Sequence, residues 1–479
     1  MSTLAQWGTW AAAVATQEVP PDVLRRAQLQ HLSTAGAIRG TAKFKAPEHP
    51  QKAAQWASRS CLLDHTDHLL WSQTSPGAVC PTWCDTKGRK ATDILATTVV
   101  ANELGARLGL ALGPKAAPWW VFSLTAATVR ARQLGLTGSQ TGHALAIALA
   151  ECPTPQASTL AHTQQALASA QCVQAGLEAA ESAAQGLKGP TDWLDAADSP
   201  FSNACRPNGR RAFTALGKRW LGRSTAYSLQ PGDLFSKVAV QGTQEILQRH
   251  ITAADRRLRA DQVERIEIRT HAWSLDSINT ALDPAEVCRS AAHQIGLAVL
   301  THDLRAAHFH PDVLAEHATT LQTLADKVVI HHDWAATIQL AHQLRQNMTP
   351  IYGDLSLGQL WKSRSKGSGF PPRDQWTKIL KARPDRLFQS HQAALSDVDV
   401  LSFRYPFSTE VKLFTTRGGW WPERRDTPEG APGWSWQKTV QGVAEKWGCG
   451  QPDDAVKAQA LVENLPTGAA STWVRQLSL

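Results

Sequence analysis

Apolar residues in the first half of the chain recur at helical spacing. Between residues 91 and 112, Ile94, Ala101, Leu104 and Leu108 fall on one face of a helical wheel, and Glu103 and Arg107, four apart, are placed to pair. Val23, Ala27 and Gln30 follow Pro20-Pro21-Asp22, and proline is well tolerated in the first turn of a helix. Residues 121–134 are again helical and end at Gly135, a C-cap. Residues 141–151 and 164–185 are Ala-rich helices, the first stopped by Pro153 and Pro155. Such helices pack closely, which predicts a bundle.

After about Tyr227 the period changes. Ile266, Ile268 and Thr270 alternate with Arg265, Glu267 and Arg269, the pattern of a half-buried strand over residues 263–271. Helices are expected over 284–301 and 311–326. Leu401, Phe403 and Tyr405 alternate with Ser402 and Arg404, and residues 410–415 continue after a short turn, which reads as a hairpin. Glycine and proline crowd residues 418–433, a linker by composition, and a last helical pattern spans about 436–447. The expected fold is therefore mainly α: a helical domain over 1–225, an α+β module over 226–417, and a segment over 418–479 that returns to the helical domain.

Composition narrows the class. A length of 479 residues calls for more than one domain, and 43% hydrophobic with 19% charged residues is ordinary for a globular protein. No export signal or membrane-spanning run is read, and eight scattered cysteines do not make a disulfide framework, so a cytoplasmic, reduced protein is expected. The net charge of +8 suits anionic ligands or simply makes a solvated surface. It is dispersed in short groups such as Lys87, Arg89, Lys90 and Arg210, Arg211, Lys218, Arg219, without a nucleic-acid motif, so no nucleic-acid partner is expected. The 19 tryptophans read as core or interface anchors.

Several constellations invite chemistry. His65, His68, Cys80 and Cys84 have zinc-like spacings, but two structural thiols and two polar loop histidines explain them, and no metal is expected. His162 with Ser158 or Ser169, or Cys172 with a histidine, lacks any nucleophile signature. His308, His310, His331 and His332 read as surface or packing residues. No phosphate loop or dinucleotide fingerprint occurs, and no cofactor is expected.

In order along the chain, residues 18–23 followed by 34–40, Ser75-Pro-Gly-Ala-Val79, Leu134-Gly-Leu136, residues 143–148, residues 266–271 and the stretch from Asp283-Pro284 to Leu300 resemble the MmgE/PrpD family of methylcitrate dehydratases and cis-aconitate decarboxylases. The resemblance implies a helical domain with an α+β lid, a homodimer, and a small carboxylate bound in the cleft between them. It also implies His and Lys side chains that move protons and hold carboxylates, because elimination or decarboxylation beside a carboxylate needs a base, an acid and cations.

Carried over residue by residue, those groups are replaced. Residues 63–68 stand where the family has an Asp-rich loop, so Asp64 or Asp67 is its carboxylate, with His65 and His68 as substitute imidazoles. The histidine of the His-Pro-Gly loop is Ser75, and Pro118, Trp119 and Trp120 occupy the neighbourhood of the next one. Gln165 and Ala168 replace the Lys and His of Lys-x-Leu-His-x-Gly, and no lysine lies between Lys218 and Lys237, where Tyr227 and Phe235 stand instead. Asp64, His65, Asp67 and His68 are thus the candidate catalytic residues, and Ser75, Trp119, Trp120, Gln165, Tyr227 and Lys237 the candidate ligand contacts. Two readings stay open: a protein that binds a small carboxylate without ordinary family activity, or a lyase or isomerase with a relocated base.

Overall fold

The computed structural model describes every residue except 45–48, 71, 114–117, 154–161, 207, 255–257, 275–283, 349–375, 382–401 and 478–479. Pro155, Ser158, Asp283 and Leu401 lie outside the described residues. The chain forms two compact units, Met1–Leu229 with Ser435–Leu479, and Gln230–Trp434.

The first unit is built from α1 (Thr3–Ala13), α2 (Pro21–Gly40), α3 (Lys52–Cys61), α4 (Ser75–Ala78), α5 (Ala91–Leu112), α6 (Trp119–Gln133), α7 (Gly138–Ala150), α8 (His162–Ala184) and α9 (Pro200–Ala204). Small residues set how closely these helices approach. A Cβ added to Gly8 on α1 would stand 2.2 Å from the backbone nitrogen of Gly142 on α7, so only glycine permits this contact. α6 ends as its sequence predicts: Gly135 takes φ 67°, and the Leu136 N–H donates to the Ala131 carbonyl at 3.0 Å. α7 starts from a capping box in which Thr137 and Gln140 bond each other's backbone N–H. Two short strands, β1 (His68–Leu69) and β2 (Thr225–Ala226), pair antiparallel with His68 opposite Ala226.

α5 is the central helix. By length and composition it is apolar enough to cross a membrane, yet 94% of its most apolar stretch is buried among its neighbours. The expected pair within it forms: Arg107 bonds Glu103 at 2.5 Å, with side chains 2% and 0% exposed. The remaining donors and acceptors are used as well. Glu103 accepts the Gly222 N–H at 2.9 Å, and Arg107 donates to the carbonyls of Thr214, Ala215 and Arg219. Removing one member of such a pair strands a buried charge. Glu103→Ala is expected to lower the unfolding free energy by about 3–5 kcal/mol in urea denaturation, whereas a loss under about 1 kcal/mol would mean the pair is dispensable.

The second unit contains α10 (Lys237–Ala254), β3 (Val263–Thr270), α11 (Pro284–Val287), α12 (Ala291–Thr301), α13 (Pro311–Asp326), β4 (Val328–His332), α14 (Trp334–Asn347), α15 (Trp376–Lys381), β5 (Thr409–Thr415) and β6 (Trp420–Arg425). The strand order is β4-β3-β5-β6, parallel between β3 and β4 and antiparallel elsewhere. Ile266, Ile268, Val411 and Leu413 are buried, while Arg265 and Glu267 on the opposite face are not. This is the alternation read from the sequence.

Two expectations for this unit are corrected. Phe403 and Tyr405 are buried and Arg404 is exposed, as alternation implies, but residues 402–407 are not a strand. Tyr405 takes φ 52°, a left-handed conformation that interrupts an extended run. The hairpin is instead β5–β6, closed by a tight turn in which the Thr415 N–H donates to Gly419 and the Gly418 N–H donates to Thr415. Residues 418–433 are therefore not a linker. Pro422 disguises β6, and it is tolerated because β6 is an edge strand whose outer side needs no donor.

The chain rejoins the first unit through α16 (Trp436–Trp447), α17 (Pro452–Glu463) and α18 (Ala470–Gln476). α16 packs on α2, where Gly36 lets the Trp447 backbone approach closely.

Candidate functional site

α2 buries polar side chains where a core helix normally buries apolar ones. Gln28, Gln30, His31, Ser33 and Thr34 are all inaccessible, interleaved with Leu29 and Leu32. Gln30 and Ser33, three residues apart, share one side of the helix. Each anchors part of the expected site.

The Gln30 amide donates to Ser75 Oγ at 3.1 Å, and its carbonyl accepts from Asn102 Nδ2 at 2.7 Å. Ser75 thus lies in a buried chain of neutral groups running from α4 through α2 to α5. The Pro and Gly that follow it serve packing. Pro76 occupies the first turn of α4, and a Cβ on Gly77 would come within 2.4 Å of the Phe122 carbonyl on α6.

Ser33 Oγ donates to Asp67 Oδ1 at 2.7 Å and accepts from Lys446 Nζ at 2.9 Å. Pairing of β1 with β2 brings the Ser228 N–H to the same Asp67 oxygen, at 2.9 Å. Lys446, on α16 and 8% exposed, also donates to the carbonyls of His65 and Ser228, both at 2.9 Å. An ammonium has three N–H bonds, and three acceptors take them. Asp67 and Lys446 are therefore a carboxylate and a cation joined through a serine hydroxyl, tying the 64–68 loop to α2, α16 and residues 225–228.

The rest of the loop is held separately. Gln73 Nε2 donates to Asp64 Oδ1 at 2.8 Å and lies 3.3 Å from His68 Nε2, which makes that ring nitrogen the acceptor. His65 and His68 are both buried. Asp64 and Leu70 bracket the loop with φ of 47° and 58°, conformations that a leucine rarely adopts.

The remaining expected contacts lie elsewhere. Trp119 is in the apolar core beside Phe122, and Trp120 packs edge-on against Trp193 at 5.1 Å. Tyr227 is also core; its hydroxyl donates to the Arg26 carbonyl at 2.9 Å, and burial pushes its phenol well above the ordinary range. Trp119 and Tyr227 are buried, and Trp120 is half-buried against the same apolar core. Gln165 is half-buried on α8. Lys237 begins α10 in the second unit and is buried, and Phe235 there packs against His271, Trp273 and Phe407.

Two other buried histidines differ from those of the loop. His31 accepts from Trp83 Nε1 at 2.9 Å and lies 2.9 Å from Thr98 Oγ1, and burial pushes its imidazole down to about 3. His271, in the second unit, is held near about 3 by burial and by His332. Both are neutral core groups. Among the described residues, no group of three or more His, Cys, Asp or Glu side chains is placed to hold a metal ion.

Residues 53–208, from α3 through α9, match the family described as MmgE/PrpD N-terminal domain. That match supports its membership of the MmgE/PrpD family, as the ordered resemblances along the sequence imply. No curated protein matches the chain.

The MmgE/PrpD match spans Asp64, Asp67, Ser75 and Gln165 but not Ser33, Ser228 or Lys446. Sequence reasoning missed those three and also Gln30 and Asn102. A signal was present. Lys446 interrupts the apolar stripe of α16 formed by Thr439, Val443 and Trp447, and a lysine on such a stripe needs buried acceptors.

Proposed function

We propose that this MmgE/PrpD-domain protein binds a small carboxylate-bearing molecule and does not perform the dehydration or decarboxylation that the resemblance implies. The carrying observation is the largely neutral polar network on α2. Ser75 stands where the family has a histidine, and its hydrogen-bond neighbours are amides. None of these groups has a useful pKa near neutrality, so none is a general acid or base. Lys446 spends its three donors on serine and backbone oxygens, and Asp67 Oδ1 accepts from a hydroxyl and an amide. That cluster braces the fold. Gln165 is the proposed neutral contact to a ligand carboxylate, and the net charge of +8 favours anions.

One observation favours the second reading, a lyase or isomerase with a relocated base. The left-handed Asp64 and Leu70 hold the 64–70 loop in a strained path around His65 and His68, and such strain clusters at functional sites.

Calorimetric titration of the full chain with citrate tests the binding reading. Saturable binding is expected, weakened roughly tenfold by Gln165→Ala through loss of one hydrogen bond. Absence of saturable binding by citrate, 2-methylcitrate and cis-aconitate alike would overturn it.

A further inference from the structure

Seven of the chain's eight cysteines fall in the first unit, and two of them, Cys152 and Cys172, touch. Cys152 lies just beyond the end of α7, and Cys172 is on α8, which packs along α7. Their sulfurs are 3.7 Å apart, and the Pro153 carbonyl is 3.6 Å from one and 3.5 Å from the other. Both are free thiols and both are buried. Cys61 on α3 stands close enough to influence Cys172 electrostatically.

We propose that Cys152 and Cys172 are an oxidisable dithiol that closes to an intramolecular disulfide when the protein meets peroxide. Forming the bond needs the sulfurs to approach from 3.7 Å to about 2.05 Å, a movement within reach of side-chain rotation. The chemistry balances in two steps. The Cys152 thiolate attacks one peroxide oxygen, the O–O bond breaks, and a sulfenic acid and hydroxide result, the hydroxide taking up the proton that the thiol released. The Cys172 thiol then attacks that sulfur and gives up its proton, the S–O bond breaks, and the leaving hydroxide takes up that proton. Two thiols are thereby oxidised by two electrons, and one hydrogen peroxide becomes two waters.

Cys152, at 7% exposed against 0% for Cys172, is the sulfur a small oxidant reaches first. The contact with Cys152, and then burial, raises the Cys172 thiol far above its usual range, so it is the less reactive of the two toward peroxide and acts on the sulfur beside it. The bond would close the stretch between the end of α7 and α8 that contains Gln165, constraining it in the unfolded chain.

The test uses the full chain, reduced and then exposed to hydrogen peroxide, with remaining thiols alkylated in denaturant before proteolysis without reductant. Mass spectrometry is expected to find the Cys152 and Cys172 peptides joined and lighter by two hydrogen masses. The oxidised protein should unfold at a higher temperature, and Cys152→Ser and Cys172→Ser should each abolish both effects. The proposal is overturned if Cys152 and Cys172 stay fully alkylatable while the exposed Cys84 and Cys449 oxidise. It is equally overturned if the linked peptide forms only after the chain is unfolded in urea.

Discussion

Lys446→Met is expected to lower the unfolding free energy by about 3–5 kcal/mol, because it deprives three buried acceptors of their donor at once. The acceptors are Ser33 Oγ and the carbonyls of His65 and Ser228, and Asp67 loses the cation that faces it through Ser33. Methionine fills most of the space of the lysine stem, so the loss reports hydrogen bonding and charge rather than a cavity. Asp67→Asn keeps the shape and removes the charge. The double variant should be destabilised by less than the sum of the two single changes, since each already breaks the same network. Urea denaturation of the four proteins measures this. Additive losses would show that Asp67 and Lys446 are independent, and a loss under about 1 kcal/mol for Lys446→Met would remove the brace from the account.

Acid should weaken both units before it protonates most carboxylates. Burial holds His31 and His271 near about 3 and His332 near about 4, whereas an unfolded histidine titrates near 6.5. The folded form of each therefore binds fewer protons than the unfolded form between those values. The stability of keeping them neutral is complete above pH 6.5 and is lost as pH falls toward 3–4. At pH 5 the loss is about 2 kcal/mol for each fully buried histidine, His31 in the first unit and His271 in the second. Thermal unfolding followed from pH 7.5 to pH 4.5 should show a midpoint that falls steadily below pH 6.5. A constant or rising midpoint across that window would contradict the burial of neutral imidazoles.

Much of the helical half was legible because its signals are local. Gly135 terminates α6, and Glu103 with Arg107 pair one turn apart on α5, whereas the Thr137–Gln140 cap that starts α7 at Gly138 went unread. The strand at 263–270 was equally clear from alternation alone. What escaped notice depended on distant partners or on an exception to a rule. β6 carries a proline, which only an edge position excuses, and Tyr405 breaks an alternating run by a backbone angle that its side chain does not announce.

The candidate site divides the same way. Asp64, Asp67, His65 and His68 are close in sequence, but their partners Ser33, Ser228 and Lys446 lie from 34 to 381 positions away along the chain and meet them only through folding. Trp119, Trp120 and Tyr227 were chosen by neighbourhood along the chain; Trp119 and Tyr227 are buried in the apolar core, and Trp120 packs half-buried against it.

The central claim is that ordinary family chemistry is missing, since general acid–base groups contribute about 10²–10⁴-fold each and Ser75, Gln165 and Ala168 supply none. The direct measurement is proton NMR of 2-methylcitrate, citrate and cis-aconitate incubated with the purified full chain, alongside a His65→Ala, His68→Ala double variant. Unchanged substrate signals with both proteins are the predicted result. Turnover by the wild type that the double variant abolishes would contradict the claim in favour of a base relocated to the 64–68 loop, and turnover that survives it would mean that the catalytic residues lie elsewhere altogether.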